Sequence, residues 1–143
     1  MDVRIETFIE KQKNLTFCTC ENNIPYCANC FYAFMSDEKM LIFKSDPETK
    51  HIMQAKKNNT IAGTILPDLD KTGTVKGIQF VGNFITPVHN LLDKARKTYY
   101  KKFPFALAIA GEIWVVELAT IKMTDNTLGI GKKVTWERVP SFF

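Results

Sequence analysis

Residues 15–34 read Leu15-Thr16-Phe17-Cys18-Thr19-Cys20-Glu21-Asn22-Asn23-Ile24-Pro25-Tyr26-Cys27-Ala28-Asn29-Cys30-Phe31-Tyr32-Ala33-Phe34. Leu15 to Cys20 and Tyr26 to Phe34 read as strands, and the five residues between them are turn chemistry. Asn22 and Asn23 tolerate left-handed dihedrals, and Pro25 interrupts pairing. Met40 to Lys44 reads as a third strand, reached through Ser36-Asp37-Glu38-Lys39. Three strands this close together leave no room for crossover helices, which argues against repeated βαβ units and for antiparallel pairing.

Working outward, Ile5, Phe8 and Ile9 stand at helical spacing with Glu6, Glu10 and Lys11 opposite, so Val3 to Lys13 is expected to be a short amphipathic helix. Ser45-Asp46-Pro47-Glu48 reads as a helix start: Ser or Asp caps, Pro47 fits the first turn, and Glu48 suits the positive end of the dipole. This helix is expected to run to about Lys57. Thr60 to Leu66 and Val75 to Ile85 read as strands four and five. After Thr86-Pro87 the apolar stripe Val88, Leu91, Leu92, Ala95 and Tyr99 marks the clearest helix, closed by Phe103-Pro104. Ile113 to Met123 reads as a sixth strand and Lys132 to Val139 as a final extended segment. The sum is mainly β with three short helices, a six-stranded antiparallel barrel whose ends the helices plug.

The 143 residues suit one domain, and the 45% apolar and 12% aromatic content is enough for a buried core. A net charge of +4 favours a small anion but falls short of a nucleic-acid footprint. Lys94, Lys97 and Lys101 form one stripe opposite the apolar one, the pattern of a solvated helix face. Early charges from Asp2 to Lys13 break any secretory apolar core, and no run approaches the roughly 18 apolar residues of a membrane span. A cytoplasmic, reducing location is the expectation, with the four cysteines as thiols.

Three constellations bear on chemistry. At the expected helix start, Ser45, Thr49, Lys50 and His51 place two hydroxyls and two cationic or titratable groups where free backbone N–H groups favour phosphate. An ordinary capped helix with solvated polar residues would read the same way. Cys18-Thr19-Cys20 with Cys27-Ala28-Asn29-Cys30 resembles a four-thiolate zinc site, but alternation opposes it. Cys18 and Cys20 share a face while Cys27 and Cys30 face opposite ways, so the four do not converge without a bulge. Gly129-Ile130-Gly131-Lys132-Lys133 lacks the spacing of a phosphate loop and reads as a turn into a strand. No nucleophile–base pair is readable, and no metal site is expected.

Several segments, in order, carry a family resemblance: Tyr26 to Tyr32, Lys50-His51, Gly77-Ile78-Gln79-Phe80-Val81-Gly82, Ala95-Arg96-Lys97 through Phe103-Pro104, and Lys122 to Lys133 with Trp136. On them the chain resembles the pyridoxamine 5′-phosphate oxidase-like, FMN-binding split β-barrels, and within these the small YhbP-like branch. The resemblance implies FMN held at the seam of a homodimer. The family's flavin-binding stretch falls on Asn29 to Phe34, its aromatic-Thr-Asn turn on Lys44-Ser45-Asp46, its basic pair on Lys50-His51 and its strand glutamine on Gln79. By this resemblance Ser45, Thr49, Lys50 and His51 take the phosphate. The backbone of Asn29, Cys30 and Phe31 runs along the isoalloxazine edge, Gln79 meets the ring's polar edge, and Trp136 covers the ring or cavity mouth. Asn29 stands where the family has Arg, His51 where it has Lys, and the oxidase's Arg-rich tail has no counterpart here. Pyridoxamine phosphate is therefore not the expected substrate. The readings left open are an FMN-dependent oxidoreductase on a small molecule, a non-catalytic carrier or sensor of flavin or another flat ligand, and a zinc-binding interaction module.

Overall fold

The structure is a computed structural model that describes residues 1–69, 71–129 and 131–140. Asp70, Ile130 of the glycine turn and the tail residues 141–143 lie outside these. The elements are α1 (Val3–Lys11), β1 (Asn14–Glu21), β2 (Ile24–Met35), β3 (Met40–Ser45), α2 (Lys50–Lys57), β4 (Thr60–Ile65), β5 (Lys76–Ile85), α3 (His89–Lys102), β6 (Glu112–Asp125) and β7 (Lys133–Glu137). Short 3-10 turns cover Pro104–Ala108 and Asn126–Leu128.

All pairings are antiparallel in the order β3-β2-β1-β4-β5-β6-β7, and β3 also pairs with β6, which closes a six-stranded barrel. The seventh strand follows from unequal lengths. β6 has 14 residues and β3 only 6. Glu112 to Glu117 of β6 pair with β3, and beyond them Thr120 to Thr124 pair with β7 on the same edge. The barrel is split where β6 changes partner. Ala119 is bulged there between the rungs Val81–Thr120 and Gly82–Leu118. Arg138 holds the split together: its guanidinium donates to the carbonyls of Leu118, Glu38 and Lys39, and its N–H to Ala119 O at 2.8 Å.

The hairpin from β1 to β2 turns through Asn22 and Asn23, both left-handed at φ 52° and 63°, the two-residue turn whose twist matches the strands. Its register sends Leu15, Phe17, Cys30, Tyr32 and Phe34 into the barrel, where they meet Phe43, Phe80, Phe84 and Trp114. α1 plugs one end through Ile5, Phe8 and Ile9, and the Tyr32 hydroxyl donates to Ile9 O at 2.6 Å. α2 plugs the other through Ile52 and Ala55, pinned by the Thr19 hydroxyl on Gln54 Oε1 at 2.6 Å, buried from water.

The two outer walls differ. α3 lies on β2, β3 and β6, burying Ala33, Met35, Ile42 and Val115 under Ala95, Tyr99 and Phe103. That wall is apolar on both faces, hence the unbroken apolar runs 31–35 and 113–116. Across the opposite wall, built from β2, β1, β4, β5, β6 and β7, no helix packs among the described residues. Val88, expected on the buried stripe, is 58% exposed. It precedes α3 as an extended N-cap residue, so the helical stripe does not reach it.

Candidate functional site

The corner where β3 leaves the barrel is built by alternation and an early turn. Leu41 and Phe43 point inward, and Ser45 continues on their face. Lys44 points the other way, donating to Ala106 O at 2.8 Å with its ammonium 5.1 Å from the Tyr100 ring centre. The Lys44 side chain therefore does not join Ser45. The expected helix start at residues 45–48 is a turn instead. The Asp46 carboxylate accepts from Glu48 N–H at 2.8 Å, and Asp46 O accepts from both the N–H and the hydroxyl of Thr49. Asp46 organises a local turn in competition with a helix cap, so α2 begins only at Lys50.

Thr49 occupies the N-cap, but its hydroxyl makes no cap bond. The first-turn N–H groups of Lys50, His51 and Ile52 have no intrahelical acceptor. His51 Nε2 lies 2.8 Å from Ser45 Oγ and 3.5 Å from Thr49 Oγ1, with its ring edge-on to Phe17. Burial holds the imidazole below the ordinary histidine pKa. Lys50 Nζ stands 4.5 Å from the Tyr26 ring centre, over the start of β2. Trp114 braces the floor, donating from Nε1 to Ser45 O at 2.9 Å.

The bare wall carries the second group. Register aligns one residue per strand across it: Asn29, Thr16, Thr64, Gln79, Lys122 and Thr135. The Asn29 amide donates to Thr16 Oγ1 at 3.3 Å. Gln79 and Lys122 share a groove of about 700 Å³ with Cys18 and Thr64, whereas Trp136, opposite the buried Ile121, turns its side chain to the other face and packs against the core, so only its backbone edges the groove. Phe31 is 49% exposed beside the wall, its ring 5.7 Å from that of Phe103. Cys30, between Asn29 and Phe31, points into the core, and burial pushes its thiol up to about 12. Only its backbone belongs to this surface.

The structure thus assembles Ser45, Thr49, Lys50 and His51 in one corner but does not bring Trp136 to Gln79: Gln79 faces out on the bare wall, and the Trp136 side chain, expected to cover the ring, packs on the core side of the same sheet. Within one chain the two residues assigned to the ring, Asn29 and Gln79, are three strand spacings from each other on that row, about 14 Å. Tyr26 under Lys50, Trp114 under Ser45, and the row partners Thr16, Thr64 and Lys122 were not singled out from the sequence. Only the strand pairings and the α2 packing bring them to these places. Of the cysteines, Cys18 faces Cys27 outside the barrel, Cys20 faces Pro25, and Cys30 is inside. They form no four-thiolate cluster.

No family model matches the chain. A UPF0306 protein of Photorhabdus laumondii is 40% identical over 134 residues, which span 94% of this chain and 94% of that protein. UPF0306 protein YhbP of Escherichia coli is 33% identical over 134 residues, 94% of this chain and 96% of its own. Among solved structures, a heme-binding protein from Mycobacterium smegmatis superposes with a TM-score of 0.78 at 12% identity, over 92% of this chain and 55% of that one. An FAD-binding protein from Mesorhizobium loti gives 0.70 at 13% identity, over 87% and 95%. A protein of the pyridoxinephosphate oxidase family from Clostridium acetobutylicum gives 0.66 at 15% identity, over 94% and 92%. With relatives this similar along almost its whole length, and with the split-barrel architecture of these neighbours, the chain belongs to the UPF0306 family, on a pyridoxamine phosphate oxidase-like split β-barrel.

Proposed function

We propose that this protein binds FMN as a homodimer and uses it in a redox reaction on a small molecule. The observation that carries the reading is the open start of α2: an N-cap residue that does not cap, first-turn N–H groups without intrahelical acceptors, and Ser45, Lys50 and His51 around them. Backbone N–H groups, two hydroxyls, an ammonium and an imidazole are the donor set a phosphate dianion needs. The backbone of Asn29 to Phe31 would then lie along the ring edge, and Gln79 would supply an amide to its polar edge. Bound flavin supplies the hydride and one-electron chemistry, and the protein's residues bind and orient it. Two of the solved neighbours are named for FAD and for heme, which supports a flat cofactor as the class of ligand.

The bare wall supports a second copy. Val81 there is 41% exposed, and the exposed Phe31 at its margin continues through Phe103 to the exposed Phe105, an apolar surface of the kind that marks association. Pairing through this wall would complete from two chains a site whose halves lie apart in one. Such a protein has the mass of two chains by light scattering, with or without flavin. A single-chain mass at micromolar concentration overturns the dimer.

Titration with FMN and, separately, with hemin tests the cofactor. The expected result is a shifted flavin spectrum saturating at one FMN per chain with Kd near or below about 1 μM. Saturable hemin binding with no flavin response overturns the FMN reading.

His51 makes the affinity pH-dependent. Its pKa is depressed in the free protein and a phosphate dianion favours its protonated form, so binding takes up a proton. FMN Kd is expected to fall as pH drops from about 8 to about 6.5, by at most about tenfold per unit. His51→Gln flattens that dependence. Stability of the free protein runs oppositely. The depressed pKa leaves stability whole above about pH 6.5 and erodes it below, because the unfolded chain takes the proton first.

A further inference from the structure

Cys18 and Cys27 are directly opposed in the β1–β2 ladder. Tyr32 N–H donates to Lys13 O on the same ladder, which makes that rung a hydrogen-bonded one. Counting in alternation from it, the rung of Cys18 and Cys27 is not hydrogen-bonded, the type on which opposed side chains approach most closely, with Cα atoms about 4.5 Å apart. That lies inside the range a disulfide spans without backbone movement. The two Sγ atoms are 2.9 Å apart. Cys27 is exposed and Cys18 partly so. The other two cysteines do not compete. Cys20 faces Pro25, and Cys30 is buried on the opposite face of the sheet.

We propose that Cys18 and Cys27 are a redox-active dithiol, which closes to a cross-strand disulfide by exchange with a low-molecular-weight disulfide and reopens with excess thiol. The exposed Cys27 thiolate attacks one sulfur of the small disulfide. A Cys27–S bond forms, the small S–S bond breaks, and the first small thiol leaves with a proton. Cys18 then attacks the Cys27 sulfur of the mixed disulfide and releases the second small thiol. The protein loses two electrons and two protons, and the small disulfide gains them. Cys27 starts the exchange because it is the accessible partner. The Cys18 thiol, pushed up to about 11 by burial and by its contact with Cys27, is the poorer nucleophile at neutral pH. The pair sits at a consequential place, since Cys18 lines the groove that holds Gln79 and Lys122. Closing it changes that wall. The inference stands independently of flavin binding, and it requires Cys27 to stay open to solvent when two copies pair through the wall that carries Val81.

The test is to equilibrate the full chain in glutathione buffers from fully reduced to fully oxidised, alkylate remaining thiols and map the peptides by mass spectrometry. The expected product is one intrachain link between Cys18 and Cys27, reversed by reduced glutathione and retained in Cys20→Ser. Cys18→Ser is expected to trap one glutathione on Cys27. Cys27→Ser is expected to leave Cys18 modified at least tenfold more slowly. Both thiols still alkylated in the oxidised buffer, a link through Cys20, or a link between two chains on a non-reducing gel would each overturn it.

Discussion

Lys50→Ala is expected to weaken FMN binding roughly 10- to 100-fold, while Lys97→Ala leaves it unchanged. Lys50 is the first residue of α2, with its ammonium over the Tyr26 ring, and a four-carbon stem from that position can carry the charge to an anion at the open N–H groups. A hydrogen bond to a charged group is worth about 1.5–3 kcal/mol, and about 1.4 kcal/mol is tenfold in Kd. Lys97 has the same charge but sits exposed on α3, whose packing is on the covered wall. Parallel titrations of the two variants make the comparison. Equal losses would mean that only the overall charge of +4 attracts the ligand, and the assignment of the α2 corner would fail.

Gly63→Ala is expected to cost about 3 kcal/mol or more in stability, at the upper end of overpacking effects. Gly63 is paired on both sides, with Phe17 of β1 and Phe80 of β5. A Cβ there would come within 2.3 Å of Thr16 O and 2.3 Å of Phe80 Cζ. The phenyl ring has neighbours of its own in the core, and the carbonyl belongs to the β1–β4 ladder, so neither yields cheaply. Gly73→Ala is the matched control. Its φ of +84° is costly for alanine, but nothing lies within 4 Å of a Cβ, so about 1 kcal/mol is lost. Urea midpoints at unchanged slope distinguish the two. A loss below 1 kcal/mol for Gly63→Ala would contradict the barrel packing around Phe80.

Much of the fold was legible because strands and turns are local. The Asn22-Asn23 turn, the alternation in β1 and the apolar spacing in α1 and α3 each depend on neighbours within a few residues, and the structure places those elements within a residue or two of the expectation. The segment from Lys122 to Lys133 with Trp136 pointed to the YhbP-like branch, and the relatives bear that out. The start of α2 was misread for a reason that is also local but subtler. Asp46 can serve a helix cap or a turn with equal chemistry, and the choice is made by where β3 must end against Trp114 and Glu112.

The sequence by itself determined the elements, the antiparallel barrel class, the family and the identity of the basic and hydroxyl residues at the α2 corner, because each is written in spacing or motif. The tertiary structure alone decided that β6 outlasts β3 and takes up β7, and that α3 covers one wall and leaves the other bare. It also decided that Lys44 turns away from Ser45, that Ser45 and His51 meet, and that Cys18 and Cys27 face each other. Each of these depends on register or packing between residues distant along the chain. A one-residue slip in pairing would send every side chain of a strand to the other face, so no reading of one strand alone contains them.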